Sequence, residues 1–164
     1  MKTVEQTVFL DGKNVTFIWM NGEKLENYSP IRQCYGIIIN EKSEILIGRG
    51  KGSSHWTIPG GTPEEGETYL EALKRELIEE VDVEVIEAKV LGVQKAFEVG
   101  RESDAIYQAR YIVTKFNLLP QTPDTDGGSQ WERKFVPSEE ITNYVKWGET
   151  GKAMFENAIV LSGH

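Results

Sequence analysis

The sequence predicts an α/β fold: a mixed β-sheet carrying helices on both faces. Three observations carry that expectation. A chain of 164 residues, 39% of them hydrophobic, suffices for one core and is too short for two ordinary domains. Apolar residues alternate in the strand manner over most of the chain and switch to helical period in one central stretch. Strands come before, between and after helices without strict alternation of the two, which favours a mixed sheet.

Residues 3–10 and 14–20 alternate around Asp11-Gly12, and Asn21-Gly22 follows, so the chain opens as a hairpin or short meander. Residues 27–30 read as a linker, dividing the chain into an N-terminal hairpin extension (1–30) and a main domain (31–164). Residues 33–40 and 44–48 are apolar, β-branched runs separated by Glu41-Lys42-Ser43, expected as two central strands. Trp56-Thr57-Ile58 reads as a short strand that Pro59-Gly60-Gly61 ends. From Thr68 to Val81 the period becomes helical, with Leu70, Leu73, Leu77 and Val81 on one stripe. Residues 83–97 and 105–116 return to strand alternation. Residues 118–130 form a long loop of the kind that is functional or mobile in compact domains. Residues 134–136 read as a last strand, 137–144 as a short helix and 152–161 as a final amphipathic helix.

The net charge of −8, from 18 Lys and Arg against 26 Asp and Glu, argues against a broad footprint for a nucleic acid polymer or an anionic membrane. Cys34 is the one cysteine, so neither a disulfide nor a thiolate metal cluster is expected. No run approaches about 18 uninterrupted apolar residues, and the first residues lack a basic start with an apolar block behind it. A cytoplasmic protein is therefore expected.

Nine of the acids fall between Glu64 and Glu84, against two bases, Lys74 and Arg75. A solvated helix face is the ordinary explanation of such a block, but the spacing points elsewhere. Glu76 and Glu80 are four residues apart and Glu79 adjoins Glu80, so three carboxylates crowd one side of the helix. Each like-charged pair costs a few tenths of a kcal/mol unless something positive sits among them. A hard divalent cation, Mg²⁺ or Mn²⁺, takes oxygen ligands of this kind. His55 and His164 stand alone, so no zinc set is present. Gly60 and Gly61 leave the backbone free to turn a carbonyl toward an ion, and Arg75 can hold the Glu67 carboxylate by a two-pronged hydrogen bond.

The stretch GTPEEGETYLEALKRELIEEVDV, Gly61 to Val83, resembles the signature box of the Nudix hydrolases. That box is Gly, five residues, Glu, seven residues, then Arg-Glu-apolar-any-Glu-Glu-any-Gly-apolar. Gly61, Glu67, Arg75, Glu76, Leu77, Glu79, Glu80 and Val83 occupy their places. Asp82 stands where the family has Gly, at a helix-terminating position that favours a left-handed backbone, at an expected cost of about 1 kcal/mol. Trp56-x-Ile58-Pro59-Gly60-Gly61 and Phe135-Val136-Pro137-x-Glu139-Glu140-Ile141 are similar to the family's flanking segments. The resemblance covers about residues 33–161 and leaves the hairpin outside.

The resemblance implies a Nudix-type α/β/α sandwich. It also implies a Mg²⁺- or Mn²⁺-dependent pyrophosphohydrolase that cleaves a diphosphate bond in a nucleoside diphosphate-linked small molecule by attack of water on phosphorus. Carried over by position, Glu76, Glu79, Glu80 and the carbonyl of Gly60 are metal ligands, while Glu67 and Arg75 orient the cluster. The general base stays open between Glu76 and a loop carboxylate from Asp124, Asp126 or Glu132, with Glu98 and Glu102 weaker candidates. Arg32, Arg49 and Lys51 are candidates for the non-reacting phosphate and Trp131 for stacking on a base, whereas Trp19 and Trp147 read as packing residues. Sugar-nucleotide members carry a Pro about fifteen residues past the box, where this chain has Phe97, Glu98 and Val99. The hairpin implies either a homodimer paired through it or an extra edge that covers the sheet. The expected partner is a nucleotide derivative, with no nucleic acid polymer and no membrane. The competing reading is a Nudix-fold sensor that binds a nucleotide without cutting it; such modules usually lose box glutamates, and none is missing here.

Overall fold

The computed structural model describes residues 3–121 and 131–163. The strands are β1 (Thr3–Leu10), β2 (Lys13–Asn21), β3 (Ile31–Ile38), β4 (Glu44–Arg49), β5 (Gly60–Gly61), β6 (Val83–Glu98), β7 (Ile106–Leu118) and β8 (Glu132–Pro137). The helices are α1 (Tyr69–Val81), α2 (Ile141–Tyr144) and α3 (Gly148–Ser162). Six strands form one sheet in the order β1-β2-β6-β7-β3-β5. The β3–β7 pair is parallel and its neighbours are antiparallel, so the sheet is mixed. Leu73, Leu77 and Val81 of α1 pack on one face with Cys34, Ile38 and Val113. Met154, Phe155 and Ala158 of α3 pack on the other with Trp19, Ile37 and Ile112. The α/β arrangement with helices on both faces is the expected one.

Local chemistry explains the elements that agree with expectation. Asp11 and Gly12 both have positive φ, 50° and 79°, the tight hairpin turn whose twist matches the flanking strands. Thr68 caps α1 by accepting from the Glu71 N–H, and the Glu71 carboxylate accepts from the Thr68 N–H, each at 3.1 Å. The hairpin continues the main sheet, with β2 paired to β6 from Val15–Glu98 to Asn21–Gly92 and Trp19 only 1% exposed. It also reaches α3. The Gln6 carboxamide accepts from the Glu149 N–H at 2.7 Å and donates to the Trp147 carbonyl at 2.8 Å and Thr150 Oγ1 at 2.9 Å.

Four expectations are corrected. Residues 44–48 are not a central strand of the main sheet; they belong to β4, which pairs with β8 from Glu44–Pro137 to Arg49–Glu132 as a separate two-stranded sheet. The reason is that β3 already has β7 along one edge and β5 on the other. Gly60-Gly61 does not end a strand but is one, while Trp56–Ile58 contributes a single bridge, Thr57 to Gly48. Leu70 is exposed, and Ala72 is buried in α1 instead. The last helix begins at Gly148 and not at 152. Two glycines in its first turn hide its start, and no side chain of Trp147 caps it; the cap comes from Gln6, 141 residues away from that tryptophan.

Asp82 ends α1 in the left-handed conformation, φ 53° and ψ 48°, as its place in the box requires. Arg133 on β8 gathers the carbonyls around it, donating to Val81 O at 2.8 Å, Asp82 O at 3.1 Å and Leu119 O at 2.7 Å. Asp82→Gly removes both the left-handed penalty and a carboxylate from the negative end of the helix dipole. The expected gain is about 1 kcal/mol, or roughly 2–4 °C in Tm by calorimetry. Among the described residues, no helix is long and apolar enough to cross a membrane.

Candidate functional site

The capping box fixes the phase of α1. With Leu73, Leu77 and Val81 turned into the core, Arg75, Glu76, Glu79 and Glu80 flank that stripe beside β5. The glycine pair of β5 is there because the backbone comes too close for anything larger. A Cβ on Gly60 would overlap the Tyr35 ring and the Cys34 carbonyl, and one on Gly61 would overlap the Glu76 carboxylate. Gly60 donates its N–H to Glu80 Oε1 at 3.2 Å.

Arg75 is the hub. It donates to both oxygens of Glu67, from Nε at 2.8 Å and Nη2 at 2.9 Å, and to Glu76 Oε1 at 2.9 Å from Nη1. The same Nη1 lies 3.3 Å from Glu79 Oε2 and 3.8 Å from Glu64 Oε1, and Nη2 donates to the Thr62 carbonyl at 3.1 Å. This two-pronged arrangement is the one expected between Arg75 and Glu67. It holds the Glu67 carboxyl down at about 2, first through the Arg75 hydrogen bonds and then through the Glu64 N–H. Glu80 is perturbed the other way. Burial pushes its carboxyl up to about 8, with the charges of Glu76 and Glu79 adding to the shift and the Gly60 N–H opposing it.

The Glu67 shift has a testable sign. A carboxyl with a lowered pKa in the folded state contributes stability that is present above about 4.5 and lost as pH falls toward 2. Replacing Arg75 with Met is expected to flatten the fall of Tm between about pH 4.5 and 2, read by circular dichroism melts.

The donor set fits a hard cation by its chemistry. It is all oxygen, with the Glu67, Glu76 and Glu79 carboxylates around one guanidinium and the half-buried Glu80 carboxyl, whose charged form its surroundings disfavour, beside them. In the conformation described, however, Glu79 is drawn to Arg75, and no three Asp, Glu, His or Cys side chains among the described residues converge to hold an ion.

The remaining sequence candidates scatter. Lys51, Trp131 and Glu132 line a cavity of about 420 Å³ with Gly52, Gln121 and Arg133. Trp131 also packs against Gly48 and the core on the α1 side. Arg49 pairs with Glu132 at 3.1 Å and lies 4.4 Å over the Trp56 ring. Arg32 is exposed on β3 and lines neither the cavity nor the carboxylate cluster. Glu98 pairs with Lys13 at 3.7 Å and Glu102 with Lys95 at 2.8 Å, both where β6 turns into β7. Asp124 and Asp126 lie outside the described residues.

Sequence reasoning missed a set of cations laid on aromatic rings. Lys134 Nζ is 4.6 Å from the Trp56 centroid and 4.4 Å from that of Tyr144. The Arg110 guanidinium lies 4.7 Å from the Tyr35 centroid and 5.5 Å from that of Trp147. Trp147, expected to pack, does so against Phe155 but also faces this arginine. Strand pairing brings these residues together, and no local spacing marks them.

Comparison with known proteins gives the family and the fold. The NUDIX domain family matches residues 30–157. An RNA pyrophosphohydrolase of Afipia carboxidovorans is 38% identical over 66 residues, 35% of this chain and 40% of that protein. This chain spans less than half the length of such curated relatives. Among solved structures, a point mutant of the Bacillus subtilis pyrophosphohydrolase BsRppH superposes with a TM-score of 0.67 at 16% identity, covering 91% of this chain and 92% of that one. MutT, described for Aliivibrio salmonicida and Vibrio cholerae, superposes with a TM-score of 0.57 at 26% identity, covering 80% of this chain and 98% of that one.

Proposed function

This chain belongs to the NUDIX domain family, and from that membership we propose that it is a divalent-metal-dependent pyrophosphohydrolase acting on a nucleoside diphosphate-linked substrate. The observation that carries the reading is the box helix itself. Glu67, Glu76 and Glu79 are gathered on Arg75, and half-buried Glu80 accepts the Gly60 N–H, beside a glycine strand with no room for side chains.

Glu76, Glu79, Glu80 and the Gly60 carbonyl would hold Mg²⁺ or Mn²⁺. When bound, such a cation neutralises the diphosphate and stabilises charge developing on the transferred phosphoryl oxygens. Arg75 and Glu67 do positional work. The guanidinium is clamped by Glu67, so its remaining N–H groups fix where the Glu76 and Glu79 carboxylates point. The general base is Glu76 or a carboxylate of the 118–134 stretch, Asp124, Asp126 or Glu132. Arg49, Lys51 and Lys134 supply positive charge for a non-reacting phosphate. The family match begins at residue 30, which supports reading 1–30 as an extension and 31–164 as the Nudix domain.

The test is turnover of nucleoside triphosphates, dinucleoside polyphosphates, sugar nucleotides and dinucleotide cofactors with Mg²⁺ or Mn²⁺, products read by mass spectrometry. A 5′-triphosphate oligoribonucleotide belongs in the panel because the matched relatives are RNA pyrophosphohydrolases. Metal-dependent release of a phosphate or diphosphate product supports the proposal. Binding of a nucleotide with no cleavage across the panel replaces it with the sensor.

A further inference from the structure

One face of the six-stranded sheet carries a strip of amides that the carboxylate cluster does not use. Gln94 on β6 stands opposite Gln108 on β7, and Gln108 stands beside Gln33 on β3. Gln94 Nε2 donates to Gln108 Oε1 at 2.9 Å, and Gln108 Nε2 donates to Gln33 Oε1 at 2.9 Å. Two residues along β7, Arg110 donates from Nη2 to the same Gln108 Oε1 at 2.9 Å. Arg110 is 2% exposed, makes no ion pair among the described residues, and leaves its Nε buried without a hydrogen-bond partner.

The arginine gives the strip a direction. A glutamine amide can be turned either way unless its partners decide, and a guanidinium only donates. Gln108 must therefore present its oxygen to Arg110, and its NH₂ is left for Gln33. Gln33 accepts with its oxygen, so its own NH₂ is left without a partner among the described residues. Gln94 is buried and has used its NH₂ on the Gln108 oxygen, and its own oxygen has no hydrogen-bond partner among the described residues. The donor end thus lies on β3, the strand that pairs with Gly60-Gly61, and the acceptor end lies two strands away on β6. Gln33 is half-buried and, two residues from Tyr35 along β3, lies on the same face of the strand as that ring, which meets Trp147.

We propose that Gln33 is a specificity-determining residue and that Arg110, acting through Gln108, is its positioning residue. Gln33 donates to a base that offers a carbonyl oxygen, as guanine and uracil do, and disfavours one that offers an exocyclic amine there, as adenine and cytosine do. The inference deepens the hydrolase reading and rests on it for the orientation of the substrate. A donor that meets another donor leaves both unpaired, and the penalty for one such mismatch is about tenfold in affinity.

The experiment is calorimetric binding of methylene-bridged analogues of GTP, UTP, ATP and CTP to the whole chain in Mg²⁺ buffer. The guanine and uracil analogues are expected to bind about tenfold tighter than the other two. Gln33→Glu keeps the acceptor that Gln108 needs but turns a second oxygen outward, and is expected to erase or reverse the preference. Arg110→Met lets Gln108 turn and is expected to bring the ratio toward one; an equal loss for all four bases would mark Arg110 as merely structural. Equal binding of all four by the unmodified chain, tighter binding of the amine-bearing bases, or no binding overturns the proposal whatever the variants do. Turnover separates the two readings. A base preference without cleavage keeps the strip and removes the hydrolase, and cleavage without preference does the reverse.

Discussion

Glu80→Gln is expected to reduce kcat by about 100-fold or more, a loss of about 2.7 kcal/mol of transition-state stabilisation, while the protein stays folded. The amide is isosteric and still accepts the Gly60 N–H that Glu80 accepts at 3.2 Å, so the contact with β5 survives. The negative charge does not. A second readout separates charge from shape. In the metal-free protein, with chelator present, the Glu80 carboxyl is pushed up to about 8, above its ordinary 4.5, so the folded chain binds more protons than the unfolded one between those values. Its contribution to stability is then full below about 4.5 and lost as pH rises through 8. Tm should fall over that window in the unmodified protein and stay flatter in Glu80→Gln. A variant that retains full turnover would move the essential charge to another carboxylate of the cluster.

The largest expected loss of stability is Gly60→Ala. The added Cβ meets the Tyr35 ring and two backbone atoms, the Cys34 carbonyl and Tyr35 Cα, and backbone on a paired strand cannot step aside as a flexible side chain can. A cost of about 3 kcal/mol, near the top of the overpacking range, corresponds to a Tm lowered by roughly 6–12 °C for a chain of this size. Gly61→Ala is the useful contrast. There the obstacle is the Glu76 carboxylate, the far end of a side chain, so the fold should suffer less and activity more. Calorimetry and kcat on the two variants check both statements.

The box was legible because its chemistry is local. Thr68 and Glu71 announce the start of α1, the carboxylates sit at helical spacing on it, and Asp82 occupies the left-handed position that its place in the motif demands. The existence of the strands was legible too, but not their partners. Glu44 faces Pro137 and Ile31 neighbours Tyr107 across stretches that no periodic pattern encodes. The same limit hid Lys134 and Arg110. Each is one basic residue in a strand, and it acquires meaning from an aromatic ring supplied by another element. Gly60-Gly61 misled for a different reason. Glycine usually punctuates, and here it is the residue that lets two strands approach.

The Gln6 carboxamide ties the order of assembly to the order of the chain. It takes the place of a local cap on α3, yet it belongs to the first strand of the sheet. β1 can pair with β2 along its whole length, but the three Gln6 side-chain bonds exist only once the last helix is in place. The helix in turn starts without its cap unless β1 is already docked. The two ends of the chain are thus fastened to each other like a clasp. Loosening either end should release both at once.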